Sequence, residues 1–565
     1  MHSTDIRDVI DVAEDVESAD VEAEVELLAK FLGFSASKAD QSAHYISVLL
    51  AVFRHFTSTY LSTKDVHSLV VSYDTAVRKD VLTAYFSALT TLESHVEPSD
   101  VPRPPPSLLL TTASQSKASV YALFGGQGAN EVYFDELQSL YDIYKPYVAP
   151  FLEVSTRALV LLADEADRNG YAFYSKGLDV LAWLNGSIPR PPVEYLASIP
   201  ISFPLIGLTQ LTQYLVVTRV ANLTPGDMRS LLAGATGHSQ GIVSAVTISA
   251  SATFDSFSQN TAKALKWLFY SGLRGQESFP VVSVESSIVQ DCVEGGEGVP
   301  SPMLAVTGLP LRDLQKFINK TNAHLPDNSK LFVSLHNGPR AFVITGPARA
   351  LYGLVTNLRK IRAPSGLDQS KVPFSQRKAV FSIRFLVVGV PYHSEYLKDA
   401  AAKVLEIDLK GEELWTPDQL AVAVYHTEDG KCSFSSFADW VIHYARTGSD
   451  LSKLSTSLTR SLCDQIFTMP IHWPEATRFA STATHAVDFG PGGLSGIGGL
   501  TARNLEGRGV RVIIVGEKGK GGAELYDART VKYEEWWSKK FQPRLVKTRS
   551  VAIHILLLLS YASYS

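Results

Sequence analysis

The amino-acid sequence predicts an α/β fold, in which helices cover a mostly parallel sheet. A short apolar run, residues 119–124, ends at a glycine loop, residues 125–128, and a helical pattern of apolar residues follows it. Further along, strand-like and helical stretches alternate in the order β-α-β-β-α between residues 303 and 390. Strand, glycine loop and helix in succession are typical of the start of an α/β sheet.

The N-terminal part of the sequence is predicted to be helical. Between residues 25 and 92, apolar residues cluster at helical spacing, as at Leu49, Val52 and Phe53. The stretch EPSDVPRPPPSLLL, residues 97–110, follows, and its prolines favour an extended connection. We therefore expect residues 1–115 to form a helical N-terminal region with a proline-rich linker.

Residues 116–515 are predicted to form the main domain. LIGLTQLTQYLVVTRV, residues 205–220, is a long helical run, and VRVIIV, residues 510–515, is the last strand-like one. Between them, LAGAT is a poor strand by propensity. We interpret the alternating elements at about 303–390 as a small split-βαβ, ferredoxin-like subdomain inserted in the larger sheet.

The last stretch, residues 516–565, is predicted to be a linker and a tail. GEKGKGG lacks the spacing of a phosphate loop and the Ser or Thr after its lysine, which favours a linker. VAIHILLLLSYASYS is apolar but shorter than the roughly 20 residues that span a bilayer. We expect a truncated end rather than a membrane anchor.

Composition and charge exclude several classes of function. With a net charge of −5 and a pI near 6.3, the chain has no overall basic field that would attract nucleic acid or a membrane surface. The three cysteines, Cys292, Cys432 and Cys463, form no CxxC pair, so neither a disulfide framework nor a metal site is expected. The N-terminus is acidic and lacks the pattern of a signal peptide, which favours a cytoplasmic protein.

The stretch GATGHSQGIVSAV places Ser239 in the pattern Gly-x-Ser-x-Gly. Chance alone gives such a match about 0.2 times in a chain of this length, so the pattern needs support. A serine nucleophile requires a base and donors for an oxyanion. His393, in PYHS after an apolar run, is the candidate base, and the backbone N–H groups of Gln127 and Gln240 are the candidate donors.

Six motifs in order, ALFGGQG, GATGHSQG, GVPSPMLAVTGL, APSGLDQS, VPYHSEYL and DFGPGG, resemble one known family. They are similar to the N-terminal acetyltransferase (acyltransferase) domain of the fungal type I fatty acid synthase β subunit. The similarity extends from residue 122 to about residue 515 and, more loosely, to the helical N-terminal region. It implies an acyltransferase core of α/β-hydrolase-like fold.

The resemblance implies acetyl transfer in fatty acid biosynthesis, or in the related synthesis of a polyketide starter unit, between which the sequence does not decide. Ser239 would attack acetyl-CoA, His393 would take its proton, and the amides of Gln127 and Gln240 would bind the oxyanion. The acetyl group would then pass to the phosphopantetheine thiol of an acyl carrier protein. A backbone carbonyl near residues 488–490 would fix the tautomer of the imidazole.

The resemblance also defines the expected partners and cofactors. It implies a carrier domain on the α subunit of the synthase and a possible trimer of β subunits, and it leaves open whether this chain still assembles with either. The chain stops before the enoyl reductase domain, so the FMN and NADPH sites would lie in missing downstream domains. We therefore expect no cofactor in this fragment, with acetyl-CoA as its substrate.

The resemblance further predicts which acyl group is accepted. Malonyl-transferring relatives carry an arginine that binds the free carboxylate, and Ser271 is expected at that position. A hydroxyl cannot neutralise a buried carboxylate, so an uncharged acetyl group is favoured. If the register is three residues off, Arg274 supplies the cation instead. Asn337 is either a residue of the substrate cleft or a turn former before a glycine.

Two alternatives remain open. An α/β-hydrolase esterase or thioesterase also uses Gly-x-Ser-x-Gly, but its histidine comes late in the chain, as His485 does. A truncated subunit could also serve only as an assembly module of the synthase, without activity.

Overall fold

The computed structural model describes residues 21–280, 283–364, 366–425, 427, 457–516 and 519–528. Within them the chain forms two compact units. The first comprises residues 21–112, 507–509 and 523–528, and the second comprises residues 113–506 and 510–522, less the gaps given above. Most of the predicted tail, residues 529–565, lies outside the described residues.

The first unit is helical, as the apolar spacing predicts. Its helices are α1 (Val21–Lys38), α2 (Ala43–Tyr60), α3 (Val66–Leu69), α4 (Thr75–His95) and α5 (Leu108–Ser114), the last of which extends two residues into the second unit. Phe53 and Tyr85 stack in its core with ring centroids 5.2 Å apart. The carboxylate of Asp527 accepts hydrogen bonds from the Asp65 amide and the Ser68 hydroxyl, so residues 523–528 pack on these helices.

The second unit contains two five-stranded sheets. In chain order its strands are β1 (Val120–Phe124), β2 (Leu232–Gly237), β3 (Met303–Thr307), β4 (Phe332–Gly338), β5 (Ala341–Thr345), β6 (Ser382–Phe385), β7 (Val424–Tyr425), β8 (Ile471–His472), β9 (His485–Asp488) and β10 (Arg511–Ile514). The main sheet has the order β10-β9-β1-β2-β7, and all its pairs are parallel. The protein therefore has the predicted α/β fold.

Helices connect and cover these strands. They are α6 (Tyr133–Arg168), α7 (Val180–Leu184), α8 (Val193–Ala197), α9 (Ile199–Val220), α10 (Pro225–Ser230), α11 (Gly241–Ser249), α12 (Phe254–Ser278), α13 (Ser286–Glu294), α14 (Leu311–Asn322), α15 (Ala348–Arg359), α16 (Lys398–Lys403), α17 (Leu458–Phe467), α18 (Trp473–Ala476) and α19 (Ile497–Asn504). A parallel sheet needs such crossover connections, because strands that run the same way cannot be joined by a short turn.

The small sheet has the order β6-β3-β5-β4-β8. Its first four strands pair antiparallel, and β8 adds in parallel to β4. Helices α14 and α15 cover one face through a core that includes Leu314, Leu351 and Leu354, with Leu304 and Ile344 from the strands. The predicted succession β-α-β-β-α is thus present, and its helices lie on one side of the sheet.

Strand β2 differs from what local propensity predicts. LAGAT is a poor strand former, yet it lies in the sheet between β1 and β7. Its small residues are required there, because a Cβ on Gly234 would lie 2.7 Å from the ring of Tyr425 and 3.0 Å from that of Tyr121. Close packing in the sheet therefore overrides the intrinsic preference.

Helix α9 is buried along almost its whole length. By length and hydropathy it qualifies to cross a bilayer, as α6 also does, but the apolar window of α9 is 100% buried inside the protein. It packs against α6 and α12. Its apolar composition is thus accounted for by its place in the core.

We expect Ile344→Ala to destabilise the small sheet. Ile344 is fully buried in that core, so the truncation leaves a cavity and lowers the free energy of unfolding by about 2–5 kcal/mol. Val299→Ala is the control, because its side chain is 65% exposed, and it is expected to change stability by less than about 0.5 kcal/mol. Urea unfolding measures both; equal effects of the two substitutions would contradict the assigned core.

Candidate active site

Ser239 lies on a sharp turn between β2 and α11. Its backbone is in the left-handed region, with φ of 55°, which is strained for a residue that has a side chain. The flanking glycines permit this turn: a Cβ on Gly237 would lie 2.0 Å from the backbone of Gly241, and one on Gly241 would lie 2.4 Å from the carbonyl oxygens of Phe124 and Gly125. The Gly-x-Ser-x-Gly spacing therefore has a steric cause.

His393 reaches Ser239 from a different part of the chain. The Oγ of Ser239 and the Nε2 of His393 are 2.8 Å apart, although 154 residues separate them in sequence. His393 also has a positive φ, of 62°. Both side chains are more than 90% buried. The structure thus brings together the predicted nucleophile and the predicted base.

The other ring nitrogen fixes the tautomer of His393. Its Nδ1 lies 3.0 Å from the carbonyl oxygens of both Gln465 and Met469. A carbonyl only accepts, so Nδ1 carries the proton and Nε2 is left as an acceptor for the Ser239 hydroxyl. The expectation that a carbonyl near residues 488–490 does this is wrong, because the end of α17 packs against His393 instead.

Asp488 has a different task at the end of β9. Its carboxylate accepts hydrogen bonds from the amides of Gly490, at 2.8 Å, and Gly498, at 2.7 Å. Burial raises its pKa to about 7, against the effect of these two donors. Asp488 therefore shapes the loop that follows β9, and the histidine is oriented by main-chain carbonyls.

Two neutral histidines flank the serine. Burial lowers the pKa of His393 to about 3, with a smaller contribution from His238, while its carbonyl partners act in the opposite direction. Burial also lowers the pKa of His238 to about 4, against the hydrogen bond to Asn337. At neutral pH both rings are uncharged, so His393 is available to accept a proton.

His238 connects the two sheets rather than serving the serine. Its Nε2 lies 2.8 Å from the Oδ1 of Asn337, and its ring packs edge-on against Trp473. The amide of Asn504 in turn donates to the backbone carbonyl of Asn337, at 2.8 Å. Asn337 lies in β4 and lines the cavity beside Ser239, so the turn alternative is wrong for this residue.

The two predicted oxyanion residues are linked through their side chains. The Nε2 of Gln127 donates to the Oε1 of Gln240 at 2.5 Å, and both residues are buried. The network continues from Ser202 Oγ to Gln127 and from Gln240 to the carbonyl of Phe203. Ser202 and Phe203 both lie in α9, whereas Gln127 follows β1 and Gln240 precedes α11. These hydrogen bonds therefore fasten the two chain segments to α9, beside Ser239.

A cavity of about 710 Å³ opens over Ser239 and His393. This size is typical of ligand-binding pockets. Its walls come from the loops after β1, β2 and β9 and from one face of the small sheet, including Met303, Ala305, Leu335, Asn337, Val343 and Arg384. The carboxyl ends of the parallel strands thus form one side of the cavity and the small sheet forms another.

Two arginines that are not among the predicted site residues also line this cavity. Arg384 comes from β6 and Arg503 from α19, and both side chains are exposed. The sequence contained a signal for each. In SIRF, Arg384 alternates with two apolar residues, and Arg503 follows Ile497 and Leu500 at helical spacing.

The structure does not place Ser271 or Arg274 in the wall of this cavity. Ser271 is fully buried in α12, where its carbonyl accepts a hydrogen bond from the Tyr392 hydroxyl at 2.9 Å. Arg274 forms a bidentate pair with Asp408, at 2.8 and 2.7 Å, and a further bond to Glu277. The guanidinium of Arg274 is therefore committed to structural ion pairs.

His485 lies at the wrong end of the sheet for a hydrolase dyad. It begins β9 and pairs with Val120, the first residue of β1, whereas Ser239 follows the last residue of β2. The start and the end of β1 are four residues apart, which corresponds to about 13 Å along the strand at about 3.3 Å per residue. The alternative that uses His485 as the base of Ser239 is therefore wrong.

Residues 122–378 match the family described as the starter unit:ACP transacylase in aflatoxin biosynthesis. Residues 5–92 match the N-terminal domain in fatty acid synthase subunit beta. These two matches cover most of the first unit and much of the second.

Curated relatives are similar over nearly the whole chain. The fatty acid synthase subunit beta of Saccharomyces cerevisiae is 37% identical over 547 residues, which are 94% of this chain and 25% of that protein. The subunit of Schizosaccharomyces pombe is 39% identical over 557 residues, 96% of this chain and 25% of that protein. The chain thus spans about a quarter of the length of these relatives.

Solved structures of transacylases are more distant. The malonyl CoA-acyl carrier protein transacylase of Coxiella burnetii is 16% identical, with a TM-score of 0.46 over 72% of this chain and 95% of its own.

We expect Gly241→Ala to disrupt the turn that carries Ser239. The added Cβ would overlap two backbone carbonyl oxygens that cannot move aside. We therefore expect the free energy of unfolding to fall by about 1–3 kcal/mol. Gly128→Ala is the matched control, because its Cβ meets no atom within 4 Å. Thermal unfolding measures the difference; a Gly241→Ala protein as stable as the control would contradict the described turn.

The reactivity of Ser239 toward phenylmethylsulfonyl fluoride should persist in acid. A histidine with an ordinary pKa of about 6.5 is mostly protonated at about pH 5. The lowered pKa of His393 keeps it neutral there, and reactivity falls only as the pH approaches that lowered value. The labelling rate against pH measures this, with Ser239→Ala as the blank. A midpoint at or above pH 6.5 would contradict the buried, neutral histidine.

Proposed function

Because this chain is homologous to the fungal fatty acid synthase β subunits, of which it spans about a quarter, we propose that it transfers acyl groups from CoA to an acyl carrier protein. The observation that carries this proposal is the 2.8 Å contact between Ser239 and the neutral His393. A buried serine with its own base, at the bottom of a ligand-sized cavity, suits nucleophilic acyl transfer.

The first half of the reaction acylates the serine. The Oγ of Ser239 attacks the thioester carbonyl while its proton passes to Nε2 of His393, which the Nδ1 contacts keep free to accept it. The tetrahedral intermediate collapses, the carbon–sulfur bond breaks, and the proton moves from His393 to the leaving thiolate of CoA. An ester on Ser239 remains.

The second half transfers the acyl group to the carrier. The phosphopantetheine thiol gives its proton to His393 and attacks the ester carbonyl of Ser239. The carbon–oxygen bond then breaks, and His393 returns the proton to the Oγ of Ser239. The same histidine thus serves as base and acid in both halves, which its single orientation allows.

The oxyanion of both intermediates would be bound by the backbone amides of Gln127 and Gln240. The hydrogen bond between their side chains supports this assignment, because it ties the two chain segments together beside Ser239. Each donor in such a site contributes typically about 3–4 kcal/mol to the transition state.

Acetyl is the acyl group that we favour, and acetyl-CoA is the donor. Neither Ser271 nor Arg274 of α12 lines the cavity, and Arg274 is neutralised by Asp408 and Glu277. Next to Ser239, the cavity is lined by uncharged groups, among them Tyr392 and Asn337. A malonyl carboxylate would thus lose its hydration there without a paired cation from α12.

The remaining assignments concern the fold and the assembly. We interpret the small sheet as ferredoxin-like. If β3, β4, β5 and β6 are numbered 1 to 4 in chain order, they lie in the sheet in the order 4-1-3-2, which is the ferredoxin-like order. The carrier would belong to the α subunit of a cytoplasmic synthase, within which the β subunits trimerise.

Labelling with radioactive acetyl-CoA tests the function. We expect a covalent adduct on Ser239, its transfer to a purified carrier domain, and no adduct in Ser239→Ala. His393→Ala should slow acylation by about 10²- to 10⁴-fold, because the serine loses its base. Malonyl-CoA is expected to label poorly.

The matched control is His485→Ala, whose histidine lies at the other end of the sheet and should label at nearly the wild-type rate if the chain folds. Absence of any adduct in a folded wild-type chain would refute the transferase and favour an assembly module. Rapid hydrolysis of the adduct in place of transfer would indicate a thioesterase.

A further inference from the structure

We propose that Arg384 and Arg503 form an anion site at the mouth of the cavity, which binds the phosphate of the pantetheine arm of both thioesters. This inference rests on the proposed function and names the part of the substrate that these residues recognise. The ligand class is a phosphate monoester or diester on a pantetheine.

Strand β6 directs Arg384 toward the cavity. Its neighbours Ile383 and Phe385 belong to the core under α14 and α15, so Arg384 lies on the opposite face of the sheet. On the adjacent strand β3, its cross-strand partner Ala305 lines the same cavity. Among the described strand residues that line the cavity, Arg384 is the one that carries a charge; the others are apolar except for the uncharged Thr307 and Asn337.

Helix α19 supplies the second cation from another wall. Ile497, Leu500 and Arg503 are spaced three residues apart and all line the cavity, so they share one face of the helix. Asn504, the next residue, donates to the carbonyl of Asn337 in β4 and fixes the end of this helix against the small sheet. This hydrogen bond holds the end of α19, where Arg503 lies, against the small sheet.

Both guanidinium groups are unpaired within the described part of the chain. Other arginines of the same unit are neutralised: Arg274 by Asp408, at 2.7 Å, and Arg359 by Glu297, at 2.6 Å. Arg384 and Arg503 have no carboxylate within 4 Å among the described residues, and Glu131 is the one acid that lines the cavity. Two exposed, unpaired cations in a cleft favour an anionic ligand.

The depth of the cavity indicates which anion the two arginines bind. Ser239 and His393 are more than 90% buried, whereas Arg384 and Arg503 are exposed. A thioester that reaches Ser239 therefore places its acyl end at the bottom and its pantetheine arm toward the opening. In CoA and in a loaded carrier protein, the far end of that arm carries a phosphate. The same two arginines can therefore bind the phosphate of CoA, which donates the acyl group, and that of the carrier protein, which accepts it.

The test compares two thioesters that differ only in this phosphate. Acetyl-phosphopantetheine and acetyl-pantetheine are used to acylate Ser239 in the wild type, Arg384→Gln, Arg503→Gln and the double variant. We expect each single substitution to lower the acylation rate constant for the phosphorylated thioester about 5- to 20-fold, with no change for acetyl-pantetheine. Arg312→Gln is the matched control, because Arg312 is 86% exposed and does not line the cavity.

Three results would overturn the inference. An equal loss for both thioesters would show that the arginines act through the fold, and no loss would show that they do not bind the arm. A loss confined to malonyl-pantetheine, tested alongside, would show that they recognise an acyl carboxylate. If the wild type forms no adduct with any thioester, the proposed function fails. Calorimetric binding of phosphopantetheine against pantetheine to the same variants then decides the phosphate site by itself.

Discussion

The hydrogen bond between Ser239 and His393 is the interaction on which the rest of the site depends. Each residue is held in the left-handed region of backbone conformation, and each is more than 90% buried. Such strain persists only where the surroundings leave no alternative. For the serine, the surroundings are the backbone of β1 packed against Gly241; for the histidine, they are the carbonyls of Ile466 and Phe467 in α17, which accept hydrogen bonds from the amides of His393 and Ser394.

Burial gives this pair its chemistry as well as its geometry. Removal of water lowers the pKa of His393, so the ring remains a neutral acceptor, and the two carbonyls determine which nitrogen accepts. No carboxylate is needed to orient the ring. The neighbouring polar groups obey the same constraint: Gln127, Gln240 and Ser202 satisfy each other's hydrogen bonds, since an unpaired polar group at this depth would be costly.

The small sheet completes the site that the large sheet begins. The parallel strands position Ser239 and the glycine loop, and another part of the cavity wall comes from β3, β4, β5 and β6. His238, Asn337 and Asn504 connect the two parts through hydrogen bonds. The cations at the opening, Arg384 and Arg503, likewise come one from each part. The cavity is therefore complete only when both parts of the unit are packed together.

The sequence by itself determined the helical N-terminal region, the α/β class, the strand–glycine loop–helix at residues 119–144 and the serine turn, because these follow from local periodicity and from glycine sterics. It also indicated His393 as the candidate base, and the resemblance implied the same role. The tertiary structure decided what depends on residues far apart in the chain: the carbonyls that orient His393, in place of the region at Asp488; the burial of Ser271; the ion pairs of Arg274; and the exposure of Arg384 and Arg503 to one cavity. Periodicity shows which face of an element a side chain occupies, but only the packing of elements decides what that face meets.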